Sequence, residues 1–360
     1  MDLSGPDVTR PVYIHGVHSF RSGTYPVSPR ESALSPDGRW VYLTNYRWGN
    51  PWREGILPGV ARVDLEADSA PLEVFTGSLE KNGSGGPAGR KTPTSVDCDN
   101  EGRVYVADYG SDRVHVFSPV GDLLKSITVQ RPAVIRLHRK TDELYVFTWT
   151  MEASYSPALR YGGPPKLTRF GPFDNPERTG VWPLEMASRH GARWMLYRGE
   201  IDAWTDPPTV WVADAYPRLY EIRGERLVLK KDFRRAAQRR VVKEWGARHG
   251  RQRLYFNPGD GCLYVGEHHD PNPIHVKGFT NLIRIDPATG DIRIVALPFD
   301  AEDMAFGMDG LAYLRTLDMV ARYHSSTWQE APFDYGQDNP RMSYQGLKPV
   351  SYTHLTLPTN

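Results

Sequence analysis

Six times along the chain a turn leads into an aromatic residue, an aliphatic residue, a third residue that is mostly small, and a polar one. The copies are Tyr42-Leu43-Thr44-Asn45, Tyr105-Val106-Ala107-Asp108, Tyr145-Val146-Phe147-Thr148, Trp211-Val212-Ala213-Asp214, Tyr264-Val265-Gly266-Glu267 and Tyr313-Leu314-Arg315-Thr316. A strand phrase that returns at long intervals marks one supersecondary unit copied around an axis. That repetition constrains the fold of these 360 residues more than any single motif does.

The second copy reads most plainly. Residues 94–98 alternate as an inner strand, and Asp99-Asn100-Glu101-Gly102 forms a tight turn. A second strand (103–107), a loop (108–112), a third strand (113–117), a turn (118–122) and a fourth strand (123–127) follow. Inner strands and their turns recur at 33–38, 255–261 and 305–310, and third strands at 60–63, 166–170, 218–222, 282–285 and 319–323. In the fourth copy the inner strand is expected near residues 200–204. One such four-stranded antiparallel unit cannot bury both faces alone, whereas a closed ring removes the exposed edges. The expected fold is therefore all-β, a six-bladed β-propeller over residues 31–336. Residues 1–30 form an N-terminal segment, within which the apolar stretch 12–20 adds a ring-closing strand. A truncated seven-bladed ring is the alternative count.

Thirty prolines and thirty-three glycines suit a chain of strands and turns. No apolar run is long enough to span a bilayer as a helix, and mean hydropathy is −0.52. A net charge of +1 argues against a general nucleic-acid binder. Cys98 and Cys262 fall in different copies with no metal-knuckle spacing, so the redox compartment stays open. Residues 1–6 lack the basic and apolar regions of a signal peptide. Residues 350–359 read as a translated sequencing adapter, so 350–360 are set aside as non-native. The natural chain is then expected to continue past residues 337–349.

Residues 99–117, with a Gly turn, a strand ending Val106-Ala107-Asp108, and Arg113-Val114-His115-Val116-Phe117, closely resemble an NHL repeat. Residues 211–222 and the fifth copy resemble it too. Propellers of this kind serve as partner-binding platforms, RNA binders, lactone hydrolases and lyases, so the resemblance implies fold more than function. The arrangement from Glu31 to Asn45 is similar to the opening blade of the SMP-30/gluconolactonase family. There a Glu before the inner strand binds a divalent metal with an Asn and an Asp from later blades. Glu31 matches that first ligand, although Ser32-Ala33 stands where the family has Gly-Pro. The resemblance leans toward export, while localisation otherwise stays open.

In a propeller the last residue of each phrase lies near one mouth of the central channel, as does the start of each inner strand. Asn45, Asp108, Thr148, Asp214, Glu267 and Thr316 come from the first set, and Glu31, Arg253, Glu302 and Asp303 from the second. Glu31, Asn45, Asp108, Asp214, Glu267 and Asp303 are the candidate ligands for a divalent cation such as calcium, which takes six to eight oxygens. The Asp of each Val-Ala-Asp also suits a structural task, capping the loop that follows.

Loops after the second strand are long in copies one, three and five, at residues 46–59, 149–165 and 268–280. Tyr46, Trp48, Trp52, Arg53, Tyr109, Trp149, Tyr155, Tyr161, Tyr216, His268 and His269 lie on that face. Such side chains anchor binding surfaces or else pack the loops onto the scaffold. Glu267-His268-His269-Asp270 with His275 has no helical spacing for zinc. Residues 83–92 lack the Gly-Lys-Thr of a phosphate loop. Residues 233–245 read as a basic helix whose Arg235 and Arg239 suit a solvated face better than RNA.

The leading expectation is a monomeric, NHL-like scaffold that binds a small molecule or protein on the long-loop face. A divalent-metal-dependent hydrolase or lyase at the channel mouth is the alternative, and an RNA-binding propeller ranks third. No catalytic residue is assigned, and whether the chain is an enzyme stays open.

Overall fold

A computed structural model describes residues 5–11, 14–16, 29, 31–48, 55–67, 72–80, 86, 89, 91–149, 165–185, 198–213, 216–233, 253–267, 279–316 and 319–333. Six four-stranded antiparallel sheets form the blades of a β-propeller. Their innermost strands are Glu31–Leu34, Pro93–Cys98, Pro132–Leu137, Arg198–Ile201, Arg253–Asn257 and Asp303–Phe306. Each neighbours the next, and the sixth returns to the first, so the ring closes at six. In the fourth blade the inner strand begins two residues earlier than expected from sequence. Blade 6 takes its outermost strand from the N-terminal segment: Ile14–Gly16 pairs antiparallel with Met319–His324, with His15 opposite Val320. A small two-stranded ribbon, Arg47–Trp48 with Gly55–Ile56, rises from the first long loop.

The recurring phrase makes this architecture because both faces of every blade are buried. In blade 2, Val104 and Val106 face a core shared with blade 1, which contains Ala33, Tyr42, Val60 and Phe75. The alternate residues Tyr105 and Ala107 face a core shared with blade 3, around Ile135, Leu137, Leu144 and Val146. A period of two with apolar residues at both phases produces that near-continuous run. Four further cores join blades 3 to 4, 4 to 5, 5 to 6 and 6 to 1. The six phrase aromatics are all buried in these layers.

Their hydroxyls explain the acidic turns. Tyr264 donates to Asp260 Oδ2 at 2.7 Å and Tyr313 to Asp309 Oδ2 at 2.7 Å, each bonding the turn that precedes its own strand. A buried tyrosine thus keeps a partner while its ring fills the core. Gly38 closes the first such turn at φ +73°, and a Cβ there would fall 2.9 Å from the Tyr313 hydroxyl of blade 6. The sequence needs glycine at that turn for conformation and for blade contact alike.

Candidate functional site

Register defines what stands at the channel mouth. One inner-strand residue of each blade pairs with the third residue of that blade's phrase: Glu31 with Thr44, Ser95 with Ala107, Val134 with Phe147, Arg198 with Ala213, Arg253 with Gly266 and Asp303 with Arg315. Going round the ring from blade 4, this tier reads Arg198, Arg253, Asp303, Glu31, Ser95, Val134. A second tier lies one pleat deeper, opposite the phrase aromatics: Ala33, Asp97, Arg136, Glu200, Tyr255 and Ala305. Charge gathers on the central axis although each blade supplies only one residue per tier.

Most of that charge is internally matched. Asp303 is the hub on the seam between blades 5, 6 and 1. Its Oδ1 accepts from the Tyr255 hydroxyl (2.7 Å) and the Met304 amide (3.0 Å), and pairs with Arg253 Nη1 at 2.5 Å. Its Oδ2 accepts from the Ser32 hydroxyl at 2.7 Å, with Arg315 Nη2 3.9 Å away. Arg315 also donates to the Pro29 carbonyl. In the deeper tier Arg136 Nε donates to both Glu200 oxygens at 2.8 and 3.0 Å. Arg139 reaches Asp97 at 2.8 Å, whose other oxygen accepts from the Leu137 amide.

Glu31 differs from all of these. Among the described residues its carboxyl accepts no hydrogen bond and forms no ion pair, although it is only half-buried. Burial pushes its pKa up; the charge of Arg253 opposes this and that of Asp303 adds to it. For Asp303 burial also acts upward, but Arg253, Arg315, Tyr255 and Ser32 together hold it below the usual carboxylate range. Two carboxyls on one tier thus shift in opposite directions, Glu31 upward and Asp303 downward.

Three of the residues expected to hold a cation have protein partners. Asp303 accepts two hydrogen bonds at Oδ1 and one at Oδ2, beside the two arginines. Asn45, at φ 58°, donates its side-chain amide to the Thr94 carbonyl and so ties blade 1 to blade 2. Asp108 accepts from the Lys91 and Thr92 amides at 2.9 and 2.8 Å and from the Ser111 hydroxyl, which is the loop-capping role. Among the described residues no three His, Cys, Asp or Glu side chains gather as a metal site. Asp214 lies outside the described residues, and Glu267 is described in backbone only.

The aromatic face also changes character. Tyr46, Tyr109, Trp149 and Tyr216 are buried rather than presented to solvent; the first three pack into the cores between blades. Trp48 is described only as a strand residue, and Trp52, Arg53, Tyr155, Tyr161, His268 and His269 lie outside the described residues, as do His275 and most of the basic segment 233–245. The sequence reading had not singled out Arg198, Arg136 or Glu200. Their common signal is a charged residue inside an inner strand otherwise fit for burial, opposite a phrase residue.

No family model and no curated protein sequence matches the chain. Solved structures do. The gluconolactonase from Xanthomonas campestris superposes with a TM-score of 0.51 at 12% identity, covering 88% of this chain and 96% of that one. A structure described as a putative gluconolactonase superposes at 0.48 with 12% identity, covering 88% and 97%. At such identity the likeness to the first shows a shared fold, that of the gluconolactonase-type six-bladed propellers.

Proposed function

We propose that this propeller binds a small molecule at the channel mouth, on the face carrying the long loops. One observation carries the reading: Glu31 stands half-buried in the charged ring, and among the described residues its carboxyl has no hydrogen-bond or ion-pair partner. A carboxyl left open to solvent among fixed charges is available to a ligand. Folded propellers place sites of this kind at the mouth of the central channel.

A fragment library screened by ligand-observed NMR tests it. Hits that bind the wild-type protein and are lost or weakened in Glu31→Gln support the mouth as the site. A library with no hits, or hits indifferent to every mouth substitution, would remove it.

The proton affinity of Glu31 favours a second reading, in which the same carboxyl acts as a general acid or base on the bound molecule. The fold is shared with a gluconolactonase, so lactones are the first substrates to assay. Hydrolysis followed with a pH indicator, with the turnover rate at saturating lactone lost in Glu31→Gln, separates catalysis from weakened binding. Equal rates in both proteins reject it.

A further inference from the structure

Arg253 and Glu31 flank Asp303 on the same tier, one from blade 5 and one from blade 1. Arg253 carries five N–H donors; Nη1 forms the ion pair with Asp303 Oδ1, and the guanidinium also acts on the Tyr255 hydroxyl. Its Nε and Nη2 make no hydrogen bond among the described residues, and its side chain stays 17% exposed while Asp303 is 4% exposed. The guanidinium is therefore tied at the Nη1 corner, with its Nε–Nη2 edge uncommitted among the described residues. Across Asp303, Ser32 anchors the Glu31 strand through its 2.7 Å bond, leaving the Glu31 carboxyl uncommitted as well. A donor edge thus stands on one side of Asp303 and an uncommitted carboxyl on the other.

We propose that the mouth site selects a small acid whose carboxylate docks on the Nε–Nη2 edge of Arg253 while an adjacent hydroxyl or ammonium group donates to Glu31. This rests on the ligand-binding reading above and specifies its ligand. A planar, two-oxygen group matches a guanidinium edge in a way that a single-point acceptor does not. The donor on the neighbouring carbon is required because a bare carboxylate beside Glu31 would meet a like charge. Three other charges near the mouth have partners within the protein: Asp303 as described, Arg136 with Glu200, and Arg315 with the Pro29 carbonyl.

The test is a set of minimal probes titrated by calorimetry or NMR at neutral pH. Glycolate presents a carboxylate with a hydroxyl, glycine a carboxylate with an ammonium, and acetate the carboxylate alone. Glycolate or glycine is expected to bind about tenfold tighter than acetate, as one further charge-assisted hydrogen bond provides. Which of the two binds tells whether the donor is a hydroxyl or an ammonium. Glu31→Gln should bring the preferred probe close to acetate, and Arg253→Met should weaken all three by at least about tenfold. Glu31→Gln breaks no bond in the structure, so it decides the matter if Arg253→Met does not fold. Equal affinity for the three probes would overturn the inference. Fragment hits confined to neutral molecules, or indifferent to Arg253→Met, would overturn it while leaving the mouth a binding site. A library without any hit would instead sink the reading beneath it.

Discussion

Replacing Asp303 by Asn tests whether the mouth is held together by charge. The side chain is almost wholly buried and links three blades: its own, blade 5 through Arg253 and Tyr255, and blade 1 through Ser32. Asn retains the shape and one acceptor oxygen but leaves the enclosed Arg253 without a counter-charge. Breaking one half of a buried pair costs about 3–5 kcal/mol, and the retained acceptor puts this case near 3. At roughly 2–4 °C per kcal/mol for a large domain, the melting temperature should fall by about 6–12 °C. The pH dependence has a defined sign. The folded pKa of Asp303 is lowered, so the native state binds fewer protons than the unfolded state as pH falls past the ordinary carboxylate value. The stability contributed is complete at neutral pH and is lost on acidification toward the folded pKa. Wild type and variant should therefore converge in acid. Urea unfolding at several pH values, with a cycle through Arg253→Met, measures both the loss and the coupling. A variant within about 0.5 kcal/mol of wild type at neutral pH would refute the reasoning. The claim that Asp303 ties blades 5, 6 and 1 together would then fall.

Other substitutions separate scaffold from site. Trp328 is fully buried among Tyr264, Phe306 and Tyr323 and donates its indole N–H to the Tyr264 hydroxyl at 3.0 Å. Trp328→Ala should cost about 3–5 kcal/mol in urea unfolding, and a loss under 1 would show that the core between blades 5 and 6 repacks freely. Asp108→Ala frees two loop amides and should cost about 1–3 kcal/mol while leaving ligand affinity intact; lost binding at unchanged stability would return Asp108 to the site. Glu31→Gln should stabilise the protein by about 1 kcal/mol in mildly alkaline buffer, as relief of a functional strain does. The folded pKa of Glu31 is raised, so its ionisation destabilises the native state as pH climbs through that value, and the gain should vanish in acid. A thermal-shift series across pH reads this directly, and a destabilised variant at every pH would contradict it.

Blade number, strand order and the use of the N-terminal segment to complete the sixth blade follow from local signals. Each phrase carries its own alternation and its own acidic turn, and four of the six turns close on a glycine, as Asp309-Gly310 before Tyr313 shows. The rim positions Glu31, Arg253 and Asp303 were legible for the same reason, since each begins an inner strand. What those residues do there was not legible. Asn45, Asp108 and Asp303 share a polar, oxygen-bearing look in sequence, yet the first ties two blades, the second caps a loop and the third anchors two arginines. Likewise Tyr46 and Trp149 begin long loops, where sequence does not distinguish a surface anchor from a ring packed inward. Repetition is local chemistry written six times, so the chain alone determined the propeller. Whether a carboxyl is saturated or left without a partner depends on groups brought to one axis from blades far apart in sequence. Only closure of the ring, which sets Arg253 beside Asp303 and Ser32 against it, decided that Glu31 would have no bonding partner among the described residues.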